Sequence, residues 1–390
     1  MTSGSTPSSA VALTQELVRC PSVTPETSAA FDLLEARLRA SGFRCWRLPF
    51  GIDSDAPADN LYARIGKAEP NLCFAGHLDV VPVGDETAWS RPPFAGEIEN
   101  GCLWGRGASD MKGAIAAFVV AAEDHFKATG GIQNGSISLL ITGDEEGPAK
   151  NGTIKVLDWL RERGEQIEGC LVGEPTNPEQ LGQTIKIGRR GSLNVRLTVS
   201  GQQGHVAYPH RAENPVPELL QLLAALPLGP LDEGNEFFEP SNLEVTSLET
   251  DANAFNVIPG RAKAMFNVRF NTLHTGEEVI ASLKTACETT GLAHELDFAL
   301  KGEPFLTVPG PLSEALEKAV RDEIGGQPEL ATGGGTSDAR YIKDYCPVVE
   351  FGLVSKTIHA VDEYALTEDI DALKRIYGRL IALMLDESAA

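Results

Sequence analysis

Ile137-Ser-Leu-Leu-Ile141 runs into Gly143-Asp-Glu-Glu-Gly147, so a short apolar run ends almost directly on three consecutive carboxylates. An apolar run of roughly four to eight residues bounded by turn residues reads as a strand buried on both faces, the kind a parallel sheet uses. Carboxylates crowded at the exit of such a strand repel one another and lose hydration, so positive charge must compensate them. A metal ion is one such compensation, and its remaining ligands would come from elsewhere in the chain.

On either side of this stretch, helical and strand patterns alternate. Phe31, Leu34 and Leu38 recur at helical spacing within 26–40, and 61–65 and 72–75 read as strands. An alanine-rich helix over 113–126 precedes the 136–142 strand, and a helix over 153–163 and a short strand over 169–172 follow it. Strands alternating with helices imply a mostly parallel sheet covered on both faces. The pattern changes near Gly188-Arg-Arg-Gly191. Leu193, Val195, Leu197 and Val199 then alternate, and a helix at 216–226, strands at 242–249 and 261–270, a helix at 277–289 and a strand at 295–300 complete a βαββαβ order. That order suggests a small α+β insert with one open sheet face. The α/β pattern resumes with a helix at 312–323, a strand at 347–351 and a helix at 366–385. The expected fold class is therefore α/β, a mixed and mostly parallel sheet flanked by helices. Its domain is discontinuous, residues 1–190 and 304–390, and is interrupted by a smaller domain at 191–303.

Bulk properties narrow the function. A chain of 390 residues is long enough for two domains with sizeable cores, and 42% hydrophobic with 23% charged residues is ordinary globular composition. A net charge of −22 repels phosphate backbones and anionic lipid, so neither nucleic acid nor membrane is an expected partner. The first ten residues have neither a basic nor an apolar region of a secretory signal, and no run approaches the ~18 apolar residues of a membrane helix. Cys20, Cys45, Cys73, Cys102, Cys170, Cys287 and Cys346 are dispersed with no Cys-x-x-Cys pair, which fits reduced thiols in the cytoplasm.

Five segments carry imidazoles or carboxylates next to apolar runs or glycine-rich turns. They are Gly76-His-Leu-Asp79, Ser109-Asp-Met-Lys-Gly113, Gly143-Asp-Glu-Glu-Gly147, Gly173-Glu-Pro-Thr176 and Ile358-His-Ala-Val-Asp-Glu363. In open α/β sheets ligands gather beyond the carboxyl ends of the strands. Taken singly each has a plainer explanation: a surface pair for His77 and Asp79, a helix cap for Asp110, a first-turn acid for Glu174, a core histidine for His359, a solvated turn for the acids. Five together point to Zn²⁺, Co²⁺ or Mn²⁺.

Here the chain resembles a known family. Gly76-His-Leu-Asp-Val80, Trp104-Gly-Arg-Gly-Ala-Ser-Asp-Met-Lys-Gly113 and Gly143-Asp-Glu-Glu-Gly147 are similar to the M20 metallopeptidases, a family of dinuclear zinc amidohydrolases. Gly173-Glu-Pro-Thr176, Lys186-Ile-Gly-Arg-Arg-Gly-Ser192, Gly204-His-Val-Ala-Tyr-Pro-His210, Asn256-Val-Ile-Pro259, Thr332-Gly-Gly-Gly-Thr-Ser-Asp338 and Thr357-Ile-His359 extend the resemblance from about residue 10 onward. The resemblance implies a zinc exopeptidase-like fold whose insert serves as a dimerisation and lid domain. It implies two Zn²⁺ per subunit, with Co²⁺ able to replace either. His77 and Glu174 would hold one ion, Glu146 and His359 the other, and Asp110 would bridge them, each ion keeping a position for water. Asp79 would orient His77 through its second ring nitrogen. Glu145 would be the general base and acid, facing away from Glu146 as neighbouring side chains do on extended backbone.

The activity so implied is hydrolysis of N-succinyl-LL-2,6-diaminopimelate, an N-succinyl amino-acid substrate, to succinate and LL-2,6-diaminopimelate. In a homodimer, His205, Tyr208 and Asn256 would reach the partner's site, with His205 stabilising the oxyanion. The acidic substrate calls for arginines, and Arg189, Arg190 and Arg269 are the candidates. Ser192, Gly335 and Thr336 would add hydroxyl and backbone donors. The sequence departs from the family pattern at Ser355, where an Asn commonly stands four residues before the last metal His. Two rivals remain open at this point: a relative that removes a different acyl or peptide group, and a metal- or ligand-binding regulator on the same fold.

Overall fold

The computed structural model describes residues 7–386 except 55, 133 and 336. The opening apolar run becomes the strand Ser136–Thr142, with every residue buried. It pairs in parallel with Asn71–His77 and antiparallel with Asn60–Gly66. Gly169–Val172 continues the parallel set beside Asn71–His77, and Val348–Glu350 beside Gly169–Val172. The eight-stranded sheet runs in the order Arg44–Arg47, Asn60–Gly66, Ser136–Thr142, Asn71–His77, Gly169–Val172, Val348–Glu350, Thr184–Lys186, Glu329–Ala331. Its four middle strands are parallel, and the strands next to them on either side, Asn60–Gly66 and Thr184–Lys186, are antiparallel. The expected mixed, mostly parallel sheet is therefore present, and the carboxyl ends of its middle strands lie in one row, with His77 opposite Thr142 and Val172 opposite Glu350.

Aromatic clusters fasten helices to both faces. Phe74 stacks on Phe118 of the helix Gly113–Thr129 at 4.5 Å, and Tyr377 of the helix Thr367–Leu385 meets both rings edge-on. Ala75, the next residue along, lies across Leu140 from Tyr62, so Tyr62 belongs to the opposite face. There Tyr62 packs with Trp46 and with Trp159 of the helix Thr153–Glu162. Burying one such ring is worth about 1.5–3 kcal/mol, which is why short strands can carry a rigid sheet here.

The chain divides into two compact units. One comprises the chain up to Ile187, Thr307–Leu330 and the chain from Gly335 onward; the other comprises Gly188–Leu306 with Ala331–Gly334. The second unit has a five-stranded antiparallel sheet, in the order Gly229–Pro230, Asn242–Thr250, Arg261–Phe270, Gly191–Ser200, Glu295–Gly302. Leu219 and Leu222 of the helix Pro215–Ala225, and Val279 and Leu283 of Gly276–Glu288, share a buried core with Leu193, Val195, Leu197 and Val199. Asn194 and Arg196 alternate with that core and are exposed, as an open sheet face requires.

Sequence periodicity misses the strands Glu97–Glu99, Cys102–Trp104 and Tyr364–Leu366, which form a separate three-stranded sheet, and Thr184–Lys186 and Glu329–Ala331, the last two strands of the eight-stranded sheet. Three residues are too few to display a period. Among the described residues no helix is long and apolar enough to cross a membrane.

Candidate metal centre

His77 is the last residue of its strand, and Glu174 follows two residues after the end of Gly169–Val172. Asp110 arrives beside them from the turn Ala108–Lys112 that leads into the helix Gly113–Thr129. Two glycines make room for it. A Cβ on Gly76 would stand 2.4 Å from Met111 Cε; one on Gly173 would stand 2.5 Å from the Phe74 ring and 2.7 Å from the same methyl. The fully buried Met111 thus packs on both strands at the residue before each ligand candidate, which sets Asp110 between them.

His77 Nε2 lies 3.2 Å from Asp110 Oδ1 and 3.7 Å from Glu174 Oε1. On the other side, Asp110 Oδ2 is 3.2 Å from His359 Nε2, which is 2.8 Å from Glu146 Oε1. Two donor sets result, His77–Asp110–Glu174 and Asp110–Glu146–His359, with ligand atoms in each lying within 4.8 Å of one another. They share Asp110, which turns one oxygen toward each histidine. A third grouping, His77–Glu145–Glu146, brings the Glu145 carboxylate to the same place.

The electrostatics of the cluster call for a cation. Burial opposes charge on His77, but its hydrogen bond with Asp110 and the charges of Glu174, Asp110 and Asp79 outweigh it and raise the imidazole pKa well above its ordinary value. Hydrogen bonds with Asp110 and Glu146 push His359 up to about 10. Burial raises Glu145 well above the usual carboxylate range, and the charges of Glu174, Asp338 and Glu146 add to it against an opposing effect of His77. Four carboxylates crowd two imidazoles, and His77 donates its Nδ1 proton to the Asp79 carbonyl at 2.8 Å, leaving Nε2 to face the carboxylates. An imidazole nitrogen among carboxylate oxygens, with its other nitrogen anchored, suits Zn²⁺ or Co²⁺ once it gives up its proton to the ion.

The three acids stand in different surroundings. Asp144, 2% exposed, accepts the N–H groups of Ala149, Lys150 and Asn151 at 3.1, 2.8 and 3.0 Å and so closes its own loop. Glu145 and Glu146 stand on a bend rather than on extended backbone. Their N–H groups both point to the Asp79 carboxylate, at 3.3 and 3.0 Å, and Thr24 Oγ1 donates to it at 2.8 Å. The bend, not strand alternation, separates their side chains. Asp79 therefore contacts His77 through its carbonyl at 2.8 Å, with its carboxylate Oδ1 3.7 Å from the ring nitrogen.

Two further residues join the site. Arg106 and Glu363 stand inside quoted motifs without a role on sequence grounds, yet both are buried and bonded to each other at 2.8 Å. Ser355 bonds the Asn177 carbonyl with its N–H at 2.7 Å and its hydroxyl at 3.2 Å.

The remaining candidates, apart from Gly335 and Thr336, lie in the second unit. His205 sits in the two-residue strand Gly204–His205, opposite Val257, and its ring is 5.8 Å from that of Tyr208. The Val206 N–H donates to the Asn256 carbonyl at 3.1 Å, so His205, Tyr208 and Asn256 gather at one exposed end. Arg269 is paired in register with Ser192 and Asn242. Arg190 and Arg189 stand two and three residues ahead of Ser192, and after burial their charges lower the Arg269 pKa. Ser192 accepts from Asn267 Nδ2 at 3.2 Å. Gly335 is an exposed loop residue of the first unit, and Thr336 lies outside the described residues.

Comparison with known proteins bears on this arrangement. Residues 73–383 match the model of peptidase family M20/M25/M40. The chain is 55% identical over 373 residues to a succinyl-diaminopimelate desuccinylase of Xanthobacter autotrophicus, covering 95% of this chain and 98% of that one. It is 54% identical over 371 residues to a protein of the same name from Rhodospirillum centenum, covering 95% and 96%. An M20 family metallo-carboxypeptidase from Sulfolobus solfataricus shares the fold with a TM-score of 0.77 at 19% identity, covering 96% of this chain and 99% of that one. The chain belongs to peptidase family M20/M25/M40.

Proposed function

We propose that the protein hydrolyses the amide bond of N-succinyl-LL-2,6-diaminopimelate, releasing succinate and LL-2,6-diaminopimelate for lysine and peptidoglycan precursors. The observation that carries this is 55% identity, over nearly the whole chain, to a succinyl-diaminopimelate desuccinylase. The paired donor sets sharing Asp110 support it.

His77 and Glu174 would hold one divalent cation and Glu146 and His359 the other, with Asp110 between them; Zn²⁺ suits these donors and Co²⁺ can substitute. Bound there, the cations supply a Lewis acid for the amide carbonyl and lower the pKa of water. Glu145, whose carboxylate lies beside His77 and Glu146, takes the proton of the attacking water and returns it to the leaving amine. Asp79 fixes the Glu145–Glu146 backbone while this happens.

The arginines favour an acyl group that ends in a carboxylate. The charges of Arg190 and Arg189 act against that of Arg269, an anion beside Arg269 would offset them, and guanidiniums bind carboxylates in bidentate fashion. Ser192, Gly335 and Thr336 add neutral donors. The insert at 191–303 acts as dimerisation and lid domain in a cytoplasmic homodimer. His205 of the partner subunit donates to the developing oxyanion, an interaction worth about 3–4 kcal/mol, and the partner's Tyr208 and the partner's Asn256 line the same site.

Turnover of N-succinyl-LL-2,6-diaminopimelate should disappear with chelation and return with Zn²⁺. Glu145→Gln should lower kcat by about 10²–10⁴-fold with both ions still bound. Faster hydrolysis of N-acetylornithine than of the succinyl substrate would overturn the proposed specificity.

A further inference from the structure

We infer that Arg106 and Glu363 form a buried positioning pair that locks the Asp110 and His359 ligands into one mutual arrangement and so sets the geometry of the second cation site. This rests on the two-metal reading of the cluster. The two residues are 257 apart in sequence; Arg106 is 2% exposed and Glu363 0%. Taking an ion pair out of water gains little stability, because the loss of hydration offsets the attraction, so what the pair holds matters more than the pair itself.

It holds backbone on both sides of the centre. Glu363 Oε1 accepts the N–H of Ser109 at 3.0 Å and of Asp110 at 3.2 Å, while Oε2 accepts from Arg106 Nη1 at 2.8 Å. Arg106 Nη2 donates to the carbonyl of His359 at 3.4 Å and of Pro82 at 3.5 Å. The guanidinium lies over the Trp89 ring at 5.2 Å, and the Gly105 N–H donates to the Glu363 carbonyl at 2.8 Å. One chain of bonds therefore runs from the amide of Asp110 through Glu363 and Arg106 to the carbonyl of His359. The side chains of those two end residues meet at 3.2 Å, with Glu146 beside them. Neither Arg106 nor Glu363 belongs to a donor set. His77 is instead anchored by its strand ladder, which this chain of bonds does not touch.

The test is a calorimetric Zn²⁺ titration of the chelated full chain, as wild type, Glu363→Gln and Arg106→Lys. The Gln amide cannot accept from both the backbone and Arg106, and Lys lacks the two fixed nitrogens that serve Glu363 and His359 at once. Wild type should take up two ions. Both variants should bind the first ion as wild type does and the second about 10–100-fold more weakly. Their kcat should fall at zinc levels that saturate wild type and recover as zinc is raised. With Co²⁺ in place of zinc, only the visible spectrum of the second equivalent should change. Unchanged affinity for both ions, or equal weakening of both, overturns the inference. If Glu363→Gln does not fold, Arg106→Lys carries the test alone. A wild type that never takes two ions overturns the two-metal reading itself, an outcome distinct from unaltered binding in the variants.

Discussion

The two halves of the centre are built differently. His77 and Glu174 stand at the ends of neighbouring parallel strands, and His77 is 1% exposed. Glu146 and His359 stand on a bend and a loop, and the His359 side chain is 48% exposed. His359 and Asp362 both have left-handed backbone, with φ of 59° and 60°. A non-glycine residue there costs about 1–3 kcal/mol and persists only where its surroundings over-determine it. Here the Ser90 N–H donates to Asp362 at 2.8 Å, Arg106 holds the His359 carbonyl, and Glu363 ties the loop to Asp110. The sheet supplies the first half as a by-product of strand register, whereas the second must be assembled from long-range bonds. The second half should therefore be the first to lose its ion.

Removing the shared ligand should have the largest effect, because it breaks both halves at once. Asp110→Asn keeps the shape but leaves one oxygen where two now face the two histidines. Losing several kcal/mol of charge stabilisation lowers kcat by about 10³-fold or more, and Zn²⁺ uptake should fall to one ion at most. Two tightly bound ions with turnover within about tenfold of wild type would show that the halves do not share Asp110.

Proton exchange sharpens the difference next. In the cation-free protein His359 is raised from its ordinary value to about 10. Its charged form therefore stabilises that protein fully below about pH 6.5, and this contribution is lost as pH rises through about 10. Ion uptake runs the opposite way, since the imidazole must release its proton to become a ligand, so affinity rises with pH. At pH 7–8 His359→Ala should lower proton release on Zn²⁺ binding by about one, read by calorimetry in buffers of different ionisation enthalpy. An unchanged proton count would remove His359 from the second half.

These differences also explain how much was legible in the sequence. A strand-end ligand announces itself: Ile137–Ile141 before the acids and Leu72–Ala75 before Gly76-His77 mark the sheet and the site together. The βαββαβ order of the insert was legible for the same reason, because Leu193, Val195, Leu197 and Val199 alternate and face its core. Of the loop half, Glu146 shared the signal of that strand, whereas His359 was visible only as a residue type. Nothing local to Arg106 or Glu363 shows that they meet, and the task of Asp144 depends on N–H groups five to seven residues ahead in a loop without periodicity. Gly76 and Gly173 look like turn residues; that both yield space to Met111 appears only once the strands are side by side.

The smallest expected effect isolates the carboxylate that serves the loop half from within the strand-end half. Asp79, like Glu363, is 0% exposed and accepts two consecutive backbone N–H groups, here those of Glu145 and Glu146. Asp79→Asn leaves one oxygen for those two groups and for Thr24 Oγ1, so at least one of the three donors loses this partner. The carbonyl that anchors His77 is backbone and survives the substitution. The first ion should therefore bind as in wild type, while kcat falls about tenfold because Glu145 and Glu146 lose their fixed bend. A parallel Zn²⁺ titration and kcat measurement separates the two. If the first ion is weakened instead, the Asp79 carboxylate orients His77 from 3.7 Å, and the strand-end half depends on side-chain bonds as much as the loop half does.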